Sequence, residues 1–247
     1  MASPQRQYVA ISDHALQQTV GWIAFAMPLF VRAVAFLHDG IWTTNSISAY
    51  YYTNLRDVFV GALVVGGVVL AFFPSPHKMD RWLSRIAGVA AVGIALFPMS
   101  IEEGVIDWVG ATTPAARKAY VQALEHGPHG PLHYHYAFVV VFFAIVFYLV
   151  TFRFKANTPA DPTERKLRRN KVYAVCGYLM GAAFLWMAVI WLRHHSDQNE
   201  MASIFYPETL AVMAFAAAWL VKGQVVLKDR PRTAPVAHPA IKVIPAG

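Results

Sequence analysis

Ten histidines, fourteen acids and one arginine set inside an apolar run are the residues through which this 247-residue chain could do chemistry. His133 and His135 lie in the stretch HGPHGPLHYHY, and His194 and His195 end a later apolar run. Neutral imidazoles combined with carboxylates bind zinc or iron. A helix, however, points residues that are adjacent or two apart to different sides, and no HxxxH or HExxH is present. A zinc or iron site therefore needs one histidine from each pair, with Asp57 or Glu102 supplied from elsewhere.

Arg32 stands four residues after Pro28 and well inside the first apolar run. A charge at that depth costs up to about 3 kcal/mol on insertion scales and faces a partner or a cavity. It shares a helical face with Phe36 and Asp39. Glu208 follows Pro207 at the start of the last apolar run, and Asp57 begins the second. An acid in a helix's first turn is favoured by the macrodipole and the free N–H groups there. Arg32, Asp39, Asp57, Glu102 and Glu208 are the candidate ligand-binding residues.

The elements that must position these side chains are membrane helices. Of the chain, 57% is hydrophobic and only 14% charged, against roughly 25% charged in soluble domains. Such a chain has too few polar side chains to cover a soluble surface. About 20 apolar residues cross a bilayer as a helix. Six runs come close: 18–38, 57–73, 84–101, 133–152, 172–192 and 206–223. Nothing alternates with period two, so a barrel is excluded and the fold class is all-α: a polytopic six-transmembrane-helix bundle. It fills residues 1–228, and the proline-rich 229–247 reads as a flexible cytoplasmic tail. The N-terminus lacks the pattern of a cleaved signal peptide.

Basic residues set the orientation. With the N-terminus inside, the inner side holds 16 of 21 Lys and Arg, seven of them in 153–171. The net charge of +7 then reads as contact with anionic lipid, not nucleic acid. Both termini are expected in the cytoplasm, in a bacterial inner membrane. The outer side gathers seven histidines, nine acids and a belt of Tyr and Trp. Gly177 and Gly181, with Gly61, Gly66, Gly67, Gly88 and Gly93, mark close helix approaches, within the chain or in a homo-oligomer. The lone Cys176 reads as a small buried side chain.

SISAYYYTNLRDVFVGAL at 46–63, FPMS at 97–100, LHYHYAFVVVFF at 132–143 and ERKLRRNKVYAVCGYLMG at 164–181 resemble a pattern of six-helix bacterial membrane proteins. More broadly the chain resembles the Frag/DRAM/Sfk group, connected in eukaryotes with lipid remodelling and trafficking. That resemblance implies a six-helix bundle and no catalytic signature. A more distant likeness is to alkaline-ceramidase-like membrane hydrolases, which would cast Ser46 or Ser48 with Asp57 beside a histidine-held zinc. Tyrosines stand where a histidine should follow the serine, and the paired histidines of the last helix are missing.

The functional expectation is a non-enzymatic membrane protein whose outward mouth binds a lipid headgroup or small polar ligand, or docks a membrane-protein partner. The alternative is a metal-dependent membrane hydrolase using His133 or His135, His194 or His195, and Asp57. A transporter would need broken helices and midplane charges, and apart from Pro28 and Arg32 the midplane is apolar. Lys222, beside Gly223 at the inner end of the last run, reads as a snorkelling lysine.

Overall fold

The computed structural model describes residues 12–40, 44–99, 132–156, 158–197 and 204–228, and among these all regular structure is helical. Helix α1 (Asp13–Asp39) starts where the Ser12 hydroxyl accepts the Ala15 N–H and ends on Gly40, whose positive φ closes the last turn. A buried 3-10 helix, Ile47–Tyr52, leads into α2 (Arg56–Ala71). Next come α3 (Lys78–Leu96) and α4 (Leu132–Tyr148), which runs on through a π turn at Leu149–Arg153 and a last turn at Phe154–Ala156. The long α5 (Glu164–Asp197) and α6 (Phe205–Lys222) complete the described chain.

The helices close a ring in chain order, because each packs on its neighbour and α6 returns to α1. Helix α5 meets α4 chiefly at the π turn. There a Cβ on Gly177 would lie 2.6 Å from Thr151 Oγ1, so only glycine permits the approach. A Cβ on Gly67 would similarly meet the Gly88 carbonyl at 2.7 Å where α2 crosses α3. Gly61, Gly66 and Gly181, by contrast, have ordinary space around them, so those three do not mark tight approaches inside the chain. Cys176 is buried, as its apolar setting predicts.

The ring has an inverted surface. Val31, Met180 and Trp219 are fully buried, yet Leu37, Phe72 and Tyr178 are 81%, 79% and 78% exposed. Three helices are long and apolar enough to cross a membrane: Asp13–His38, Tyr134–Ala156 and Glu164–Arg193. Only 22–28% of the apolar window in each is buried, so most of that surface faces outward from the ring. Helix α2, at 16 residues, rises about 24 Å against a hydrocarbon core of roughly 30 Å.

The expected boundaries shift at several places, with α1 starting at Asp13 and α3 at Lys78. Helix α5 begins at Glu164, eight residues before the apolar run, because ERKLRRNK is built of good helix formers. The apolar run 84–101 is helical only to Leu96, since Pro98 pushes Phe97 out of the helical region. The fourth run carries a π turn that hydropathy does not register.

Candidate functional site

The segment Thr44–Thr53 forms a plug across one end of the ring, and every one of its residues is buried. Backbone polar groups in such a segment need internal partners. Ser46 supplies the first: its hydroxyl accepts the Ala49 N–H at 3.1 Å and donates toward Met99 Sδ at 3.3 Å. The Phe205 N–H donates to the Asn45 carbonyl at 2.9 Å, tying the plug to the start of α6. Thr53 Oγ1 donates to the Tyr50 carbonyl and accepts the Leu55 N–H, turning the chain into α2. The Tyr52 hydroxyl donates to the Met99 carbonyl beyond the end of α3.

Glu208, 8% exposed, holds the plug most directly. Its Oε2 accepts the Ile47 N–H at 2.7 Å, across 161 residues of sequence. The carboxylate thus caps the 3-10 helix from another element while standing in the first turn of α6. Arg32 reaches the same place from α1: its guanidinium carbon is 5.6 Å from the centre of the Phe205 ring, a cation–π contact. Burial pushes the Tyr50 hydroxyl above its ordinary pKa of 10, opposed by the neighbouring Thr44 side chain and by the charge of Arg32. Tyr52 is pushed up to about 12 by burial and by Tyr51, with Arg56 pulling the other way. Arg56 itself donates to the Tyr51 hydroxyl at 2.6 Å and lies over that ring.

Of the five candidate ligand residues, the structure therefore brings Arg32 and Glu208 to one plug. Asp57 is exposed on α2 and makes no hydrogen bond or ion pair among the described residues. The side chain of Asp39, and Glu102 entirely, lie outside the described residues.

Of the four candidate metal histidines, only His135 has a described side chain; those of His133, His194 and His195 lie outside that set. His135 is 3% exposed and its Nδ1–H donates to the Phe97 carbonyl at 2.7 Å. That carbonyl is one of the acceptors left over where α3 ends, so His135 acts as a helix cap from a neighbouring element. Among the described residues no group of three His, Cys, Asp or Glu side chains could hold a metal ion. Of the two serines in the hydrolase comparison, Ser46 is a capping residue and Ser48 is buried in the 3-10 helix, while Asp57 stays out of the plug.

One functional-looking residue escaped the sequence reading. Asp80, buried in the first turn of α3, accepts from Arg153 Nε at 2.5 Å at the opposite end of the ring. Its signal was legible: it is the acid nearest to Lys78, Arg81 and Arg85.

Compared with family models, curated proteins and solved structures, the chain matches none significantly.

Proposed function

We propose that this chain is a non-enzymatic multi-pass protein of a bacterial inner membrane, crossing six times with both ends in the cytoplasm. Its outward end recognises a lipid headgroup, a small polar ligand or a partner subunit. The observation that carries the reading is the plug. A ten-residue segment without a charge is buried at one end of a ring whose flanks are apolar, and it is fixed there by Glu208 and flanked by Arg32.

A lipid bilayer makes sense of the exposed Leu37, Phe72 and Tyr178, which water would not tolerate together. The opposite end supports an inner assignment. Lys222 stands 4.9 Å from the centre of the Phe154 ring, Arg153 pairs with Asp80, and Arg169 donates to the Leu227 carbonyl. These cations make that end basic, and the exposed Lys78, Arg85, Arg168 and Lys171 are where anionic headgroups would meet the protein.

Single cysteines test the arrangement. In a Cys176→Ser background, a membrane-impermeant maleimide applied to intact cells should label Asn54→Cys and spare Lys78→Cys; the reverse pattern would overturn the orientation. A fluorophore on that Asn54 cysteine should respond saturably to glycerol phosphate or phosphoethanolamine, and lose the response in Arg32→Gln. No response to either would remove the headgroup reading.

A further inference from the structure

Beneath the plug the ring encloses two contiguous cavities. The upper, about 60 Å³, is lined by apolar side chains of α1, α2, α3, α4 and α6 and by two polar ones, Ser48 and Glu208. The lower, about 70 Å³, is lined without a charged residue and continues past Gly66 and Gly67 to Leu70 and Phe215. Met27, Leu63, Phe142, Phe143 and Val212 wall both, so the two form one crevice. From Glu208 to Phe215 it runs about 10 Å along α6. Ile23, Ala62 and Gly66, all partly exposed, line its side between α1 and α2.

The polar groups at the top are not fully matched. One oxygen of Glu208 takes the Ile47 N–H; the other and the Ser48 hydroxyl have no partner among the described residues, and both residues line the crevice. A buried acceptor without a donor is costly, and more so in an apolar surround. The remaining wall offers no donor and is too apolar to hold a chain of waters. A crevice of this combined size compares with the roughly 150 Å³ apolar cavity that admits benzene. It takes a head and the first few carbons of one chain, with the rest passing between α1 and α2 into lipid.

We propose that this crevice binds a single-chain amphiphile whose head donates hydrogen bonds, an alcohol or an amine, held between Ser48 and the free oxygen of Glu208. The first carbons of the chain fill the apolar part toward Leu70 and Phe215. An ionised fatty acid fits worse, because its head brings a like charge and no hydrogen to the Glu208 oxygen. The site rests on the membrane reading, since the ligand arrives through lipid, but not on recognition at the outer surface.

The test uses the full chain in nanodiscs of neutral lipid, loaded separately with tetradecanol, tetradecylamine or tetradecanoic acid and weighed by native mass spectrometry. One equivalent of the alcohol, the amine or both should be retained at least about tenfold better than the acid, a gap of about 1.4 kcal/mol. Ser48→Ala should weaken that retention, and Val212→Phe, which fills both cavities, should abolish it. Equal retention of the acid, or retention unchanged in a folded Val212→Phe chain, would overturn the site. Should Val212→Phe fail to fold, Ser48→Ala decides: unchanged retention there overturns it equally. Recovery of the chain in the membrane fraction reports separately on the membrane reading.

Discussion

Replacing Glu208 separates its role as a latch from its charge. In Glu208→Ala the Ile47 N–H loses its acceptor at 2.7 Å inside a segment that water does not reach. An unsatisfied buried donor costs about 1–3 kcal/mol. The lost side chain also enlarges the neighbouring cavity, at about 24 cal/mol per Å³ left unfilled. Together these place the cost at about 2–4 kcal/mol. Glu208→Gln keeps an oxygen at the same reach, and loses about 1 kcal/mol at most as a charge-assisted bond becomes a neutral one. Hydrogen exchange of the Ile47 amide in detergent reads the difference directly, because the amide exchanges when the plug opens locally. At 1.4 kcal/mol per factor of ten, Glu208→Ala should speed that exchange about 30- to 1,000-fold, and Glu208→Gln by less than about fivefold. If Glu208→Ala leaves the rate within about threefold of the parent, or if Glu208→Gln exchanges as fast as Glu208→Ala, the carboxylate is not what holds the plug.

Two further outcomes follow from buried polar groups at opposite ends of the ring. Tyr52 ionises near 10 when unfolded and near 12 when folded, so between those values the unfolded state holds fewer protons and stability falls as pH rises. The loss should reach about 2–3 kcal/mol by pH 12; thermal unfolding across that range should show it in the parent and much less in Tyr52→Phe. At the other end, Arg153→Ala strands the Asp80 carboxylate with only Ser75 in reach at 3.5 Å, and should cost about 1–3 kcal/mol in thermal unfolding, discounted from a fully buried pair for partial exposure. Asp80→Ala should cost less, since the freed Arg153 can extend to the interface.

Hydropathy was enough to find the six long helices among the described residues, because an apolar surround and a protein core select the same side chains. It was a poorer guide to where they end. The start of α5 at Glu164 depends on helix propensity in charged residues, and the end of α3 at Leu96 depends on one proline. The π turn at Leu149–Arg153 is a matter of how Thr151 fits against Gly177, a contact that neither run contains by itself. Glu208 was legible as a helix-start acid; its partner was not, since Ile47 lies 161 residues away in a stretch with no periodicity. The plug read as an interfacial loop because its tyrosines match the composition of a membrane belt. A signal to the contrary was present: no Lys, Arg, Asp or Glu falls between Gly40 and Leu55. A loop bathed in water or headgroups seldom goes that long without a charge.

The absence of charge also explains how the plug can be stable at all. A charged residue in that stretch would need its own buried partner, and of the described charges close to the ring end Arg56 is taken up by Tyr51, which leaves Arg32 and Glu208. Those two are used differently. Glu208 satisfies a backbone donor, whereas Arg32 lies against the Phe205 ring. The acid fixes the plug and faces the crevice below it, and under the proposed function the arginine takes part in recognising an anionic or polar partner. A substitution at Arg32 should accordingly spare the fold and alter recognition, while one at Glu208 alters the fold first.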